Sequence, residues 1–440
     1  MNGSTELLPA LTHSQHLGIA PAHLRWQFWL LLCLALGLRV AAAVAAENHL
    51  ESSGRSFLIE GDANGYWELA RHIAHGKEYA IYTPPRRVLR TPGFPLLLAA
   101  SMRLFGENIF AATLLMASIG TINCGLTWFL ARRMVGDTVA LIALAIVAVS
   151  PLQIGISIQI LSETWFSFWL LLCLLALEQT IRSSTNKQLL IWSLLSGILT
   201  GLTTLVRPGW ILWTGLSTLL VLTFAVRPVS IRLRTVGCLC LGCWLALLPW
   251  AIRNHQVTGH WVYTSLWSGP SLYDGLHPGA TGLSDMTFFD QENVLVHMSE
   301  FEMNEHYKQR AWEFARTQPV RTLELAVLKA MRYLSPSLNA SGFSDGPLKI
   351  VCLAWYSAFL LLLIPGTISL RNSPFSLCLL IAPFLQFLLV HMVFVGSIRY
   401  RLPVEFPLTI VAANGLVSIL QQGRLRRSEA TPPMDINAGV

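Results

Sequence analysis

The chain reads as an all-α polytopic membrane protein with about ten transmembrane helices, one interfacial helix and two large outer-face loops. Three observations carry this reading. Apolar residues make up 53% of the 440 positions and charged residues only 12%, about half the charged share of a soluble domain. The charges fall in short clusters. Between the clusters lie apolar runs close to the roughly twenty residues that a bilayer crossing of about 30 Å requires.

The crossings are read at 27–46, 109–131, 138–151, 157–179, 188–206, 208–226, 235–251, 348–370, 374–395 and 403–420. The first run ends in AAAVAA, which offers small residues for cleavage. A long polar region precedes it, however, so it reads as an uncleaved span and not as a secretory signal. The 93–105 run is apolar as well, yet its helix would reach only about 20 Å, which places it at the interface. Counting it as a crossing would also invert every later loop.

The basic residues fix the orientation. Arg25, Arg132 with Arg133, Arg182 with Lys187, Arg227 with Arg232 and Arg234, Arg371, and Arg424 with Arg426 and Arg427 are separated by even numbers of spans and so share one side. That side is cytoplasmic by the excess of Lys and Arg in short loops. The organisation is then a cytoplasmic N-terminal segment (1–26), a membrane domain (27–252) carrying the first outer loop (47–95), an outer, periplasmic segment (253–347), C-terminal membrane helices (348–420) and a cytoplasmic tail (421–440). The plasma (inner) membrane is the expected location, with any active site on the outer face.

Several function classes drop out. The net charge of +7 resides in residues at span ends that orient helices, so no nucleic-acid partner is expected. The inner loops are a few residues long, and no glycine-rich phosphate loop follows a strand, so no nucleotide site is expected. All eight cysteines lie in apolar stretches, and the CLCLGC run at 238–243 reads as small apolar residues without a disulfide framework. His277 has no second ligand at metal spacing and reads as a loop residue. Asn2-Gly-Ser and Asn339-Ala-Ser match a glycosylation acceptor pattern that arises often by chance. Trp261, Tyr263, Trp267 and Tyr273 suit either sugar stacking or a membrane-interface belt.

Chemistry is expected from charged residues at the outer level. Asp62 opens a short amphipathic helix with Tyr66, Leu69 and Ile73 on one face, a place where aspartate also serves as a cap. Glu163 lies inside a span, where an ionised acid costs about 2.5–3.5 kcal/mol at mid-helix and less near a surface, which makes it a functional candidate. Arg90, Arg207, Arg253, Arg399 and Arg401 all sit at span ends on the same side. Arginines grip phosphate bidentately, and a carboxylate can take the proton of an acceptor hydroxyl. Because no nucleotide site exists inside, the activated sugar is expected to arrive on a polyprenyl-phosphate lipid.

The ordered motifs Asp62-x-x-x-Tyr66-x-x-Leu69-Ala70, Arg90-Thr-Pro-Gly-Phe-Pro95, Leu161-Ser-Glu163, Arg207-Pro208, Pro249-Trp250-x-x-Arg253-Asn254, Pro278-Gly-Ala-Thr-Gly282 and Arg399-Tyr-Arg-Leu-Pro403 resemble those of bacterial C-superfamily glycosyltransferases. These are the membrane enzymes similar to protein mannosyltransferases and to the lipid A aminoarabinose transferase. The resemblance runs from about residue 25 to residue 420. It implies an inverting transferase that moves a sugar from a polyprenyl-phosphate donor to an envelope glycan, lipid or protein. Asp62 and Glu163 would be its catalytic acids, and Arg90, Arg207, Arg399 and Arg401 would bind the donor phosphate. Tyr66 and Arg253 would be possible substrate contacts. Some relatives bind a divalent metal and others do not, and Asp62 with Glu163 permits either. The chain departs from the aminoarabinose transferase pattern in carrying Arg90 where that pattern has lysine, and Gly65 where it has arginine. Two other readings use the same outer pocket: a transporter or flippase for lipid-linked sugars, and a ligase drawing a finished glycan from a polyprenyl-diphosphate. A transporter would place its ionisable residues near mid-bilayer in repeated halves; Arg39 and His391 are the residues that would serve it.

Overall fold

The computed structural model describes residues 22–336 and 347–429, with side chains from 25 to 336 and from 347 to 423. Most of the N-terminal segment, the end of the C-terminal tail and the Asn2 and Asn339 triplets lie outside the described residues. The helices in order are α1 (Ala22–Ser53), α2 (Asp62–Ala74), α3 (Gly93–Phe105), α4 (Ile109–Met134), α5 (Asp137–Val149), α6 (Pro151–Ser157), α7 (Ser162–Arg182), α8 (Asn186–Thr204), α9 (Trp213–Phe224), α10 (Val229–Thr258), α11 (Ser268–Gly275), α12 (Thr287–Glu292), α13 (Glu300–Thr317), α14 (Pro319–Leu334), α15 (Pro347–Leu370), α16 (Pro374–Val393) and α17 (Ile398–Glu429). Among the described residues the only β pairing is an isolated bridge between Ile81 and Arg86. The all-α membrane architecture is the one expected.

The span count differs from ten. By length and composition α1, α4, α7, α10, α15, α16 and α17 can each cross a membrane, and α5 with α6, bent by 61°, makes an eighth if the pair is one span. The 188–206 run is helical as α8 and packs along α7 and α10, but Ser193, Ser196, Thr200, Thr203 and Thr204 dilute its apolar character. The 208–226 run begins with a 3-10 turn at Pro208–Leu212, which leaves α9 only 12 residues, or about 18 Å. Proline lacks the N–H that an unbroken helix would need there.

The bend between α5 and α6 has a physical cause. Pro151 starts a new helix, capped by the Ser150 side chain, so the last carbonyls of α5 lose their helical partners. Arg39, wholly buried inside α1, donates to Val147 O (3.2 Å), Ala148 O (3.2 Å) and Ala35 O (3.1 Å). Its role is to satisfy that break.

The two ends of the bundle carry different charge clusters. At one end Arg133 pairs with the buried Glu178 (2.6 Å), Arg182 pairs with the same carboxylate (3.1 Å), and Arg227 donates to Ser183 O (2.8 Å). Those loops are the ones the positive-residue count groups together. The opposite end gathers α2, α3, the starts of α7 and α17, and the turn after α8. The central helix α17 is largely buried, and Arg399 at its start reaches both α2 and α7.

Helices α11 to α14 build a separate apolar core from Tyr273, Phe289, Met303, Tyr307, Phe314 and Leu325. A capping box, Ser299 with Glu302, starts α13. The α14 helix lies against α16 and α17, where the fully buried Lys329 donates from Nζ to Val393 O (2.7 Å). Burial pushes this lysine down to about 8, against the opposing pull of Asp274. An unfolded lysine keeps its proton until about 10.4. Between those values the unfolded chain binds more protons than the folded one, so stability rises with pH across that window. The thermal unfolding midpoint in detergent is expected to rise between pH 7.5 and 9.5. The Lys329→Met protein should lose that component of the slope, and an identical slope in both proteins would refute the assignment.

Candidate active site

Five chain segments bring the charged residues together. The first is the N-terminus of α2. Asp62 is its first residue, and the cap position belongs to Gly61 with φ of 80°. The carboxylate is therefore free of the capping role that its position suggests. It points instead at two guanidinium groups: Oδ1 accepts from Arg90 Nη2 (2.6 Å) and Oδ2 from Arg399 Nη1 (2.8 Å).

The second segment is the loop before α3, which holds Arg90. Tyr79 donates its hydroxyl to Arg90 O (3.2 Å), and Arg253 fastens the same loop through Arg87 O (2.7 Å) and Tyr79 O (3.0 Å). The Glu300 carboxylate adds Arg87 N (2.5 Å) and Val88 N (3.0 Å). Gly93 then donates its N–H to Leu205 O (2.9 Å), an approach so close that a Cβ on Gly93 would stand 2.7 Å from that oxygen. Glycine is needed at this point. The contact brings the start of α3 beside the Leu205–Arg207 turn, so Arg90 and Arg207 share one site.

Glu163, in the first turn of α7, is only 1% exposed. Its Oε1 accepts from Arg399 Nε and lies 3.3 Å from Arg207 Nη1, while Oε2 is buried without a partner. Arg399 thus stands between the two acids. Aromatic faces line the cluster: Tyr66 lies under Arg90 (4.3 Å to the ring centroid) and meets Phe94 edge-on (5.0 Å), and Tyr400 lies 5.0 Å from Arg207. His391 stacks on Tyr400 at 4.3 Å and turns Nδ1 to Val395 O (2.9 Å).

The two carboxylates differ in access. Asp62 is 36% exposed and open to a ligand, whereas Glu163 is enclosed. Burial alone would raise the Asp62 carboxyl; Arg90 and then Arg399 outweigh it and hold the group well below the usual carboxylate range.

The expected cluster is assembled for Asp62, Glu163, Arg90, Arg207, Arg399 and Tyr66. Two expected residues lie elsewhere. Arg253 is spent on the backbone of the 79–87 loop and supports Arg90 from behind. Arg401 is fully buried against α14 and α15: it pairs with Glu405 (2.5 Å), donates to Tyr333 O (2.6 Å) and Ser335 O (2.8 Å), and lies 3.5 Å from the Tyr356 ring centroid. Two residues apart on a helix, Arg399 and Arg401 point about 200° from each other, so only one can face Asp62. The donor-phosphate expectation for Arg401 is corrected on that ground. Of the outer aromatics, Tyr273 is buried in the α11–α14 core and Trp267 packs on Phe289, while Trp261 and Tyr263 are exposed. Sequence reading missed Tyr400, Tyr79 and the Glu405 partner of Arg401. The i, i+4 spacing of Arg401 and Glu405 was the available signal.

The sequence leaves open a divalent cation at Asp62 and Glu163. Both Asp62 oxygens accept guanidinium hydrogens, and Arg399 separates the two acids. Among the described residues no three His, Cys, Asp or Glu side chains group closely enough to hold a metal. This donor set does not fit a metal ion, and no step is derived through one.

Membrane-crossing helices with this acid and arginine cluster at one end define a polytopic all-α membrane protein. Residues 89–253, the stretch from the Arg90 loop through Glu163 and Arg207 to Arg253, match the family model described as dolichyl-phosphate-mannose-protein mannosyltransferase. Over those residues the match bears out the resemblance read from the motifs. No curated protein matches the chain by sequence. Among solved structures, the oligosaccharyltransferase of Archaeoglobus fulgidus in the apo form is similar at a TM-score of 0.55 and 14% identity, covering 92% of this chain and 52% of that one. The archaeal oligosaccharyltransferase AglB from the same organism, in complex with an inhibitory peptide and a dolichol-phosphate, gives 0.51 and 12%, over 93% and 52%. ArnT from Cupriavidus metallidurans bound to undecaprenyl phosphate gives 0.43 and 14%, over 90% and 78%. The chain thus spans about half the length of the archaeal structures, and the likeness to them is one of fold.

Proposed function

We propose that the protein transfers a sugar from a polyprenyl-phosphate carrier to an acceptor hydroxyl at the outer face of the plasma membrane. The observation that carries this reading is the Asp62–Arg399–Glu163 bridge flanked by Arg90 and Arg207 at one end of an apolar helix bundle. Support also comes from the family match over residues 89–253 and from a structure of the same fold that holds a dolichol-phosphate.

The charges suit the reaction. Three guanidinium groups and two carboxylates leave one positive charge, which matches the single negative charge of a polyprenyl-phosphate sugar. In the transfer step the acceptor oxygen attacks the anomeric carbon from the face opposite the phosphate, and the C–O bond to phosphate breaks with its electron pair. The acceptor proton passes to Asp62, the open carboxylate. The cluster then carries two positive charges against the two developing on the departing polyprenyl phosphate. Arg90, Arg207 and Arg399 stabilise that leaving group where charge grows most, which is where preorganised donors accelerate a reaction. Glu163 holds Arg207 and Arg399 in place.

Purified protein in nanodiscs is expected to release polyprenyl phosphate from a synthetic polyprenyl-phosphate sugar and to label an acceptor with that sugar. Movement of the intact donor between leaflets of proteoliposomes, without release, would replace this reading with a flippase. Release only from a diphosphate-linked glycan would replace it with a ligase.

A further inference from the structure

Beside the charged cluster, between α2 and the 77–85 loop, lies a cleft of about 340 Å³ lined by Glu68, His72, Lys77, Glu78, Tyr82 and Pro85. Tyr82 is its least ordinary member. Its φ is +70°, a region that bulky residues rarely adopt, and the side chain is 52% exposed. The Arg86 guanidinium braces the ring at 4.6 Å and is itself held over Phe289 (4.7 Å) and Trp267 (5.5 Å). A strained conformation of this kind persists only where its surroundings enforce it. Here they hold an aromatic face out into solvent.

The other end of the ring reaches the site. A Cβ on Gly65 would stand 3.5 Å from the Tyr82 hydroxyl and 3.4 Å from Arg90 Nε, so hydroxyl and guanidinium lie within the sum of those distances. Gly65 is buried beneath both groups, so the Tyr82 hydroxyl packs beside the Arg90 side of the cluster. A molecule seated on Tyr82 would extend toward Asp62.

The lining selects the ligand by chemistry. Glu68 is already paired with Arg71 (3.0 Å) and His72 (3.2 Å), and Glu78 with Arg87, so the acids of the cleft are compensated, and its one further charge is the Lys77 ammonium. An apolar lipid chain would desolvate the charged groups of Glu68, Lys77 and Glu78 and offer them no hydrogen bond in return. A peptide bound by strand addition needs an open sheet edge, and among the described residues the only β pairing is the Ile81–Arg86 bridge. What the lining suits is a hydroxyl-rich molecule, with ring C–H groups against the Tyr82 face and hydroxyls bonded to Glu68, Lys77 and Glu78.

We propose that this cleft is the acceptor site and that it takes a carbohydrate, with Tyr82 as its stacking platform. The proposal rests on the transferase reading but is tested without turnover. Saturation-transfer NMR on the full chain in nanodiscs, with a panel of neutral methyl glycosides as probes, should give signals from at least one glycoside. Those signals should fall at least fivefold in Tyr82→Ala and persist in Tyr82→Trp, and Glu68→Gln should weaken them as a second, surface-only change. Binding of a polyprenyl-phosphate sugar should be the same in all these proteins. Absence of glycoside signals in wild type, equal signals in Tyr82→Ala, or displacement of the glycosides by a short neutral peptide would overturn the proposal while leaving the donor chemistry intact. Loss of donor binding in the wild type would instead sink the transferase reading.

Discussion

Asp62→Asn is expected to lower kcat for sugar transfer by about 10²–10⁴-fold, the usual worth of a positioned general base, with donor KM unchanged or reduced. The substitution keeps the shape of the side chain and removes both its charge and its capacity to take a proton. One negative charge fewer in the cluster leaves Arg90 and Arg399 free for the donor phosphate, which is why KM should not rise. The pH profiles carry a second signature. In the free enzyme the two guanidinium groups hold the Asp62 carboxyl well below the usual carboxylate range, so the acid limb of kcat/KM, which reports the free enzyme, should lie below the ordinary carboxylate pKa of about 4. Once the donor phosphate competes for Arg90 and Arg399, the carboxyl loses part of that stabilisation. The acid limb of kcat should therefore fall at higher pH than that of kcat/KM. Purified wild type and Asp62→Asn, compared between pH 3.5 and 8, decide it. A variant that keeps more than a tenth of the wild-type kcat would reduce Asp62 to a structural residue at the start of α2.

Much of this site was legible because acids and arginines are rare in apolar surroundings. Glu163 inside a span and Arg207 or Arg399 at span ends announce themselves by the cost of placing charge there. Side assignment from loop arginines then put them at one level, and the structure groups them with Asp62 and Arg90. What the sequence left ambiguous depends on tertiary detail. Arg399 and Arg401 look equivalent in SIRYRLP, and only the packing of α17 against α15 decides which face meets Asp62. Arg253 looks like another phosphate ligand until the 79–87 loop is seen to occupy its donors. The span count failed at 208–226 because composition does not register the 3-10 turn after Arg207. Tyr82 carried no signal at all, since its interest lies in a backbone angle and in its nearness to Gly65.

Glu163→Gln should separate holding a site together from acting in it. The carboxylate is enclosed and is shared by Arg207 and Arg399. Neutralising it leaves Arg207 without a carboxylate partner and Arg399 with Asp62 alone, and breaking a buried ion pair from one side costs about 3–5 kcal/mol. The expected result is a clear fall in the thermal unfolding midpoint in detergent, together with weaker donor binding, since both arginines lose their orientation. Asp62→Asn, at a half-buried position, should lower that midpoint less. The double variant Glu163→Gln with Arg207→Met removes one of the stranded cations, so it should be less destabilised than the two single losses added together. Strict additivity would mean that the two residues do not share one ion-pair network. A Glu163→Gln protein with wild-type stability and donor binding but lost kcat would give Glu163 a direct part in proton transfer. The geometry argues against that outcome, because the acceptor can approach Asp62 from solvent and cannot reach Glu163 without displacing Arg399.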